Sequence, residues 1–449
     1  MFLHDKDIRN YVDAICQQIR WKKAHERISE EMTCHILDSR DGYIEQGFDM
    51  QTATTKAIAD TGDATTLGTS FDRIHRPKPQ WGMLAAVAAF IVLGVIISVL
   101  LNDGGDMQRR LIFTAIGIGI MSATYFADFT VLGKHPRSIF FAIILVSLLF
   151  LIFFQRFNWL TWHDFRVYGA ALSLLFPLAI GLCTFALRNK GILGFILSGV
   201  AFMALCFLAL LITFTAFFHL LVIGAIILLV ALHKNWFGII KRYRLLLTFI
   251  PIVSVILLVI AYIVRSSAFQ IARFTALRNP MSDPLGMGFQ AVIIRDVVSG
   301  AAWLGEGTAL NSFLRDGSTL TASEFLPAAT TDVMLTTMLY YYGWIPLAII
   351  LCALFAFMAT GFKRAFKQKS GLGFFVSFAV LATFSFQVLT YVVFNLGFTF
   401  TLISLPLISP GNAAIVVNLG LIGFMLSVFR TGDAIVEKKP PQTEAKQTP

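Results

Sequence analysis

Few side chains in this 449-residue chain could do chemistry, and most of them stand in one stretch. Asp332 opens a long apolar segment, and a carboxylate there can take a proton from a hydroxyl group held at a membrane surface. Arg273 and Arg278 precede it, and a guanidinium grips phosphate oxygens through two parallel hydrogen bonds. Each residue also has a plainer reading. At a helix start, Asp332 reads as an N-cap worth ~1 kcal/mol. There the positive end of the helix would stabilise the carboxylate and weaken it as a base. On position alone, capping is the better reading. Arg273 reads equally as an anchor to lipid headgroups. His219, inside an apolar run, reads as a neutral packing residue, although a histidine at such a depth is costly.

The elements that must position these residues are membrane spans. Apolar runs long enough to cross a bilayer, about 20 residues each, fall near 82–101, 111–130, 138–154, 167–187, 191–210, 213–232, 245–265, 333–357, 371–394 and 412–429. The uncharged stretch 191–232 is too long for one span and must be a tight hairpin. Basic residues then fix the orientation. Lys134 and Arg137, Arg188 and Lys190, the cluster from Lys234 to Arg244, and Lys363, Arg364, Lys367 and Lys369 all fall on the side of the N-terminus if there are ten spans. Both termini are therefore expected in the cytoplasm and the stretch 265–332 outside. That long loop alternates Gly, Pro and apolar residues, which predicts a folded loop.

Composition agrees. The chain is 57% hydrophobic and only 14% charged, with a mean hydropathy of +0.74 and 43 Phe, far from a soluble domain. Its net charge of +10 is uneven. Residues 1–80 carry 11 Lys/Arg against 13 Asp/Glu, and residues 81–449 carry 25 against 13. Basic loops of a membrane protein account for that excess without a nucleic-acid partner. The five cysteines form no CxxC pair and read as packing residues. The first 20 residues lack an apolar signal-peptide core. Residues 1–80 read as a cytoplasmic helical domain, with helices over 26–47 and 50–61 and with Ile28, Met32, Ile36 and Ile44 on one face. The tail after residue 430 reads as disordered. The stretch 1–80 resembles the permease-prefix type of helical domain, which implies docking or regulation rather than chemistry.

Three blocks carry a more specific pattern: FQIARFTALRNPMSDPLGMGFQ (Phe269 to Gln290), FLPAATTDVML (Phe325 to Leu335) and NLGFTFTLISLPLISPGNAA (Asn395 to Ala414). Together they resemble the shape, elongation, division and sporulation (SEDS) family, the RodA and FtsW class of peptidoglycan polymerases. Gln270, Arg273, Asn279, Pro280, Asp283, Pro284, Gly286, Gly288 and Gln290 keep step with the family's YQxxRIxxFLNPxxDPxGxGYQ. Leu326, Pro327, Thr331 and Asp332 match its LPExxTDF, and Leu405, Pro406, Ser409 and Gly411 its LPFxSxGG. The chain departs from the family at Ala328, where a glutamate is usual, and at Tyr340, Tyr341 and Tyr342, where carboxylates precede the glycine. It also departs in TFTAFFHLL (Thr213 to Leu221), which lacks the carboxylate of QPDxGT.

The resemblance implies an all-α membrane protein of about ten spans over 81–430, in a bacterial cytoplasmic membrane. It implies glycan-strand synthesis from lipid II at the outer face, beside a class B penicillin-binding protein. Asp332 is then the catalytic residue, as general base or cation ligand. Arg273, Arg278, Gln270, Asp283, Gln290, Thr331 and Ser409 are the expected substrate contacts. A divalent cation stays open, since no ligand spacing marks one. Two rival functions also stay open. One is a non-catalytic scaffold of the same fold, which the missing carboxylates favour. The other is a transporter of a polyprenyl-linked precursor, which predicts inverted repeats and midplane charges that the sequence does not show.

Overall fold

The computed structural model describes residues 4–101, 107–157, 161–308, 332–399, 404–409 and 412–432. The chain divides into two compact units, one of Met1–Pro79 with the residues from Phe429 and the other of Gln80–Val428. In the first, α1 (His4–Gln17), α2 (His25–Glu45), α3 (Met50–Thr61) and α4 (Ala64–His75) follow one another with short joints. The last two joints are set by carboxylate caps: Asp49 accepts from the amides of Gln51 and Thr52, and Asp63 from that of Thr66. Ile8, Val12, Ile15, Ile19, Ile28 and Ile36 are buried, whereas Ile44, expected on the same face, is exposed.

The second unit is a helical membrane domain. Its elements are α5 (Trp81–Leu100), α6 (Met107–Phe126), the short α7 (Thr130–Lys134), α8 (Pro136–Phe157), α9 (Trp162–Ser173), α10 (Phe176–Ala186), α11 (Gly191–Ile212) and α12 (Phe214–His233). Then come α13 (Lys241–Leu247), α14 (Phe249–Val264), α15 (Ala268–Arg278) and α16 (Phe289–Ser299). After the undescribed 309–331 follow α17 (Met334–Tyr342), α18 (Trp344–Phe366), α19 (Gly371–Asn395) and α20 (Asn412–Thr431). Among the described residues nine helical stretches are long and apolar enough to cross a membrane. The helix α6, the second expected span, falls short of that measure because its first turn carries Arg109 and Arg110. Helices suit this setting because every backbone polar group pairs within the segment.

The core lies where α10, α12 and α19 pack together. Phe176, Ile180, Leu221, Ile227, Phe374 and Phe375 are buried there. The helix α14, by contrast, exposes one face along its length, as expected of a lipid-facing span, while Val255, Leu258 and Val259 pack against that core.

Three expected spans are interrupted. The fourth breaks between α9 and α10, where Pro177 opens the new helix. The seventh is divided at Thr248, between α13 and α14. The eighth, read from sequence as one helix over 333–357, breaks at Gly343, whose φ is +82°. A side chain rarely adopts that conformation, and a Cβ there would sit 2.7 Å from the Ala302 carbonyl. The stretch around Trp303 fills the break: the amides of Trp344 and Ile345 donate to the carbonyls of Ala302 and Trp303 at 3.1 and 3.0 Å.

Candidate functional site

Polar residues from five segments converge on one cavity. The capping box of α9, Thr161 with Asp164, fixes the start of the helix that carries Arg166. Thr213 caps α12 by accepting from the Ala216 amide at 3.0 Å, so Thr215 and His219 stand on one face of its first two turns. From α19 comes Gln387, paired in both directions with Asn418 of α20 at 2.9 and 3.1 Å. Asp332 and Ser404 complete the wall. The result is a cavity of about 230 Å³ lined by Arg166, Ser173, Thr213, Thr215, His219, Asp332, Gln387 and Ser404 with apolar neighbours.

A second cavity of about 300 Å³ adjoins it and shares Arg166, Thr213 and Thr215. Tyr262, Gln270, Arg273, Phe274, Leu277 and Thr399 line the rest. The two differ in charge. Among the described residues, the first is lined by Asp332 together with Arg166, and the second by Arg166 together with Arg273. Burial, and after it the neighbouring Arg166, lowers the Arg273 guanidinium from its usual value, with Tyr262 opposing. Two cations that crowd each other in this way fit a polyanion between them.

Asp332 does not cap its helix. The N-cap of α17 is Val333, with no side-chain bond to the helix start. Asn395, at the end of α19, takes that role. Its Oδ1 accepts from the Thr336 amide and hydroxyl, both at 3.0 Å, and its Nδ2 donates to the carbonyls of Asp332 at 3.1 Å and Tyr391 at 3.0 Å. Val333 thus stands at the cap position, and Asp332, one residue earlier, lines the cavity. Behind it lies the buried Tyr391, beside Ser409 and Asn395.

The other expected contacts separate into groups. Gln270 and Arg273 line the second cavity. Gln270 also closes the α15 capping box, its Oε1 accepting from the Ser267 amide at 2.9 Å. Arg278, at the end of α15, is exposed and lines neither cavity. Asp283 organises its own turn by accepting from the Met287 amide at 2.8 Å. Gln290 is half-buried in the first turn of α16 and lines neither cavity. Ser409 is buried as a support of Tyr391 rather than on a cavity wall. Thr331 lies outside the described residues.

Sequence reasoning passed over Arg166, Gln387, Ser404 and two supporting arginines. Arg110 is 2% exposed and donates to the Ile408 carbonyl at 2.6 Å and to the Ser98 hydroxyl, clamping the loop 404–409. Arg295 ties the Leu277 carbonyl of α15 to the Gly397 carbonyl after α19, at 2.9 and 3.1 Å. A buried cation in an apolar setting and the T-x-x-D pattern before Arg166 were the available signals. Among the described residues no three His, Cys, Asp or Glu side chains gather as a metal site.

A multi-pass helical membrane protein with a cavity that holds one carboxylate and one guanidinium, beside a second lined by two guanidinium groups, is the class that fold and site define. The sequence pattern of the FtsW/RodA/SpoVE cell cycle proteins matches residues 80–433, and the chain belongs to that family. It is 23% identical over 203 residues to a probable peptidoglycan glycosyltransferase FtsW of Aliivibrio salmonicida, covering 44% of this chain and 49% of that protein. It is 27% identical over 169 residues to the stage V sporulation protein E of Bacillus subtilis, covering 37% and 44%. The chain thus matches about half the length of these curated relatives. Among solved structures, one described as "Structural coordination of polymerization and crosslinking by a peptidoglycan synthase complex" has a chain that superposes with a TM-score of 0.59 at 18% identity. That likeness, over 79% of this chain and 98% of the other, is one of fold.

Proposed function

We propose that this protein polymerises peptidoglycan glycan strands from lipid II at the outer face of the bacterial cytoplasmic membrane, with both termini cytoplasmic. The observation that carries the reading is the pairing of the Asp332 cavity with the Arg166 and Arg273 cavity across a shared wall. The acceptor's sugar hydroxyl enters the first and the donor's diphosphate the second. Asp332 removes the hydroxyl proton as the oxygen bonds to the donor's anomeric carbon. The bond from that carbon to the phosphate oxygen breaks, and undecaprenyl diphosphate leaves with the electron pair. Arg166, Arg273 and the N-terminus of α12 face the charge that develops on it. Asn395 and Tyr391 hold the segment that carries Asp332, so geometry is set before substrate arrives.

A class B penicillin-binding protein is the partner that fits this activity, since a new strand needs crosslinking. The helical residues 1–80 serve as a cytoplasmic docking or regulatory domain. The test is polymerisation of labelled lipid II by the purified protein, alone and with class B partners, beside Asp332→Asn. Long strands that disappear in the variant are expected. Lipid II binding without strands, whatever the partner, would overturn the enzymatic reading in favour of a scaffold.

A further inference from the structure

His219 read from sequence as packing, and its ring face does pack: it stacks on Phe386 with centroids 5.0 Å apart and planes at 19°. Packing does not account for its edge. The residue is 3% exposed, and among the described residues its Nε2 is buried without a hydrogen-bond partner. Buried polar atoms are almost always paired, so an unpaired one on a residue that lines a cavity marks a place for a ligand atom. The cavity is the one that holds Asp332.

Three of its polar neighbours on the wall are otherwise engaged. Gln387 is paired with Asn418, the Ser173 hydroxyl donates to the Ala170 carbonyl at 2.7 Å, and Thr213 caps its helix. Phe386 fixes the imidazole plane, so the ring nitrogens have little freedom to turn elsewhere. A neutral imidazole offers one N–H donor and one acceptor nitrogen, which suits a hydroxyl or an amide. It suits a phosphate less well, because a neutral ring offers that polyanion a single donor. The phosphate-binding guanidinium of Arg273 lies in the adjoining cavity instead.

We propose that His219 is a substrate contact that hydrogen-bonds a hydroxyl or acetamido group of the lipid-linked sugar and so selects the saccharide that enters the Asp332 cavity. The proposal rests on the glycan-polymerase reading above. It assigns sugar recognition to His219 on α12 and diphosphate recognition chiefly to Arg166 of α9 and Arg273 of α15. His219→Phe keeps the stack on Phe386 and removes both nitrogens. His219→Gln keeps a donor and an acceptor.

The test measures binding of lipid II and of undecaprenyl diphosphate, which has no sugar, to the full-length protein in nanodiscs. Loss of a buried hydrogen bond predicts that His219→Phe weakens lipid II binding about tenfold or more. Undecaprenyl diphosphate binding should stay unchanged, and His219→Gln should recover most of the lipid II affinity. If His219→Phe does not fold, the same two ligands on His219→Gln and His219→Leu give the comparison. Equal lipid II affinity in wild type and the nitrogen-free variant would overturn the contact while leaving the polymerase reading in place. Equal losses for both ligands would also overturn it. A wild-type protein that binds no lipid II would overturn both readings together.

Discussion

Asn395→Ala is the perturbation whose effect the structure fixes best. The side chain makes four hydrogen bonds, two accepted from Thr336 and two donated to the carbonyls of Asp332 and Tyr391. The Thr336 hydroxyl keeps a second partner in the Asn395 carbonyl at 2.9 Å. The Thr336 amide and the Asp332 carbonyl would lose the partner described for them. Each buried group left unpaired costs about 1–3 kcal/mol, so the variant should lose about 2–4 kcal/mol after local relaxation. The same change frees the start of α17, and a shift of about 1 Å in a reacting group costs about a hundredfold in rate. Strand synthesis should therefore fall between tenfold and a hundredfold while lipid II binding persists. The assay pairs polymerisation of labelled lipid II with thermal unfolding of the purified protein. Leu389→Ala, on the same helix but 56% exposed, serves as control. An Asn395→Ala protein with wild-type rate and unfolding temperature would refute the argument that this residue positions Asp332.

Arg166→Ala and Arg273→Ala should each weaken undecaprenyl diphosphate binding by about tenfold or more, since hydrogen bonds to charged groups are worth about 1.5–3 kcal/mol. Arg278→Ala should change it by less than about twofold, and titration of the three variants with that ligand decides the matter. Gly343→Ala should destabilise the protein by about 1–3 kcal/mol, because φ is +82° and the new Cβ meets backbone 2.7 Å away. A fall in unfolding temperature checks it, and an unchanged value would mean the break at Gly343 is soft. Arg110→Met should lower strand synthesis about tenfold by releasing the Ile408 carbonyl and with it the loop of Ser404, as single-turnover kinetics would show.

The spans were legible because hydropathy sums over about 20 residues and tolerates local error. Breaks inside them were not. Gly343 differs from a helical glycine only in φ, and its break is filled by the stretch around Trp303, more than thirty residues earlier. At the site, Asp332, Gln270 and Arg273 were legible through motif spacing, whereas Arg278, Asp283 and Gln290 kept the same spacing yet line neither cavity. Spacing records what a loop needs to fold as well as what a ligand needs to bind, as the Asp283 turn illustrates. Arg166 and Gln387 come from separate helices, and only their convergence gives them meaning. His219 was visible as an intramembrane histidine, but the state of its Nε2 depends on every neighbour and could not be read from one chain segment.

The two cavities share Arg166, Thr213 and Thr215, and a common wall makes their occupants thermodynamically linked. A ligand that draws Arg166 toward one side alters the surface offered to the other. Whatever factor the first guest imposes on the second, the second must impose on the first. Donor and acceptor affinities measured separately will therefore not multiply to give the ternary complex, and the size of the shortfall or surplus is a property of that wall.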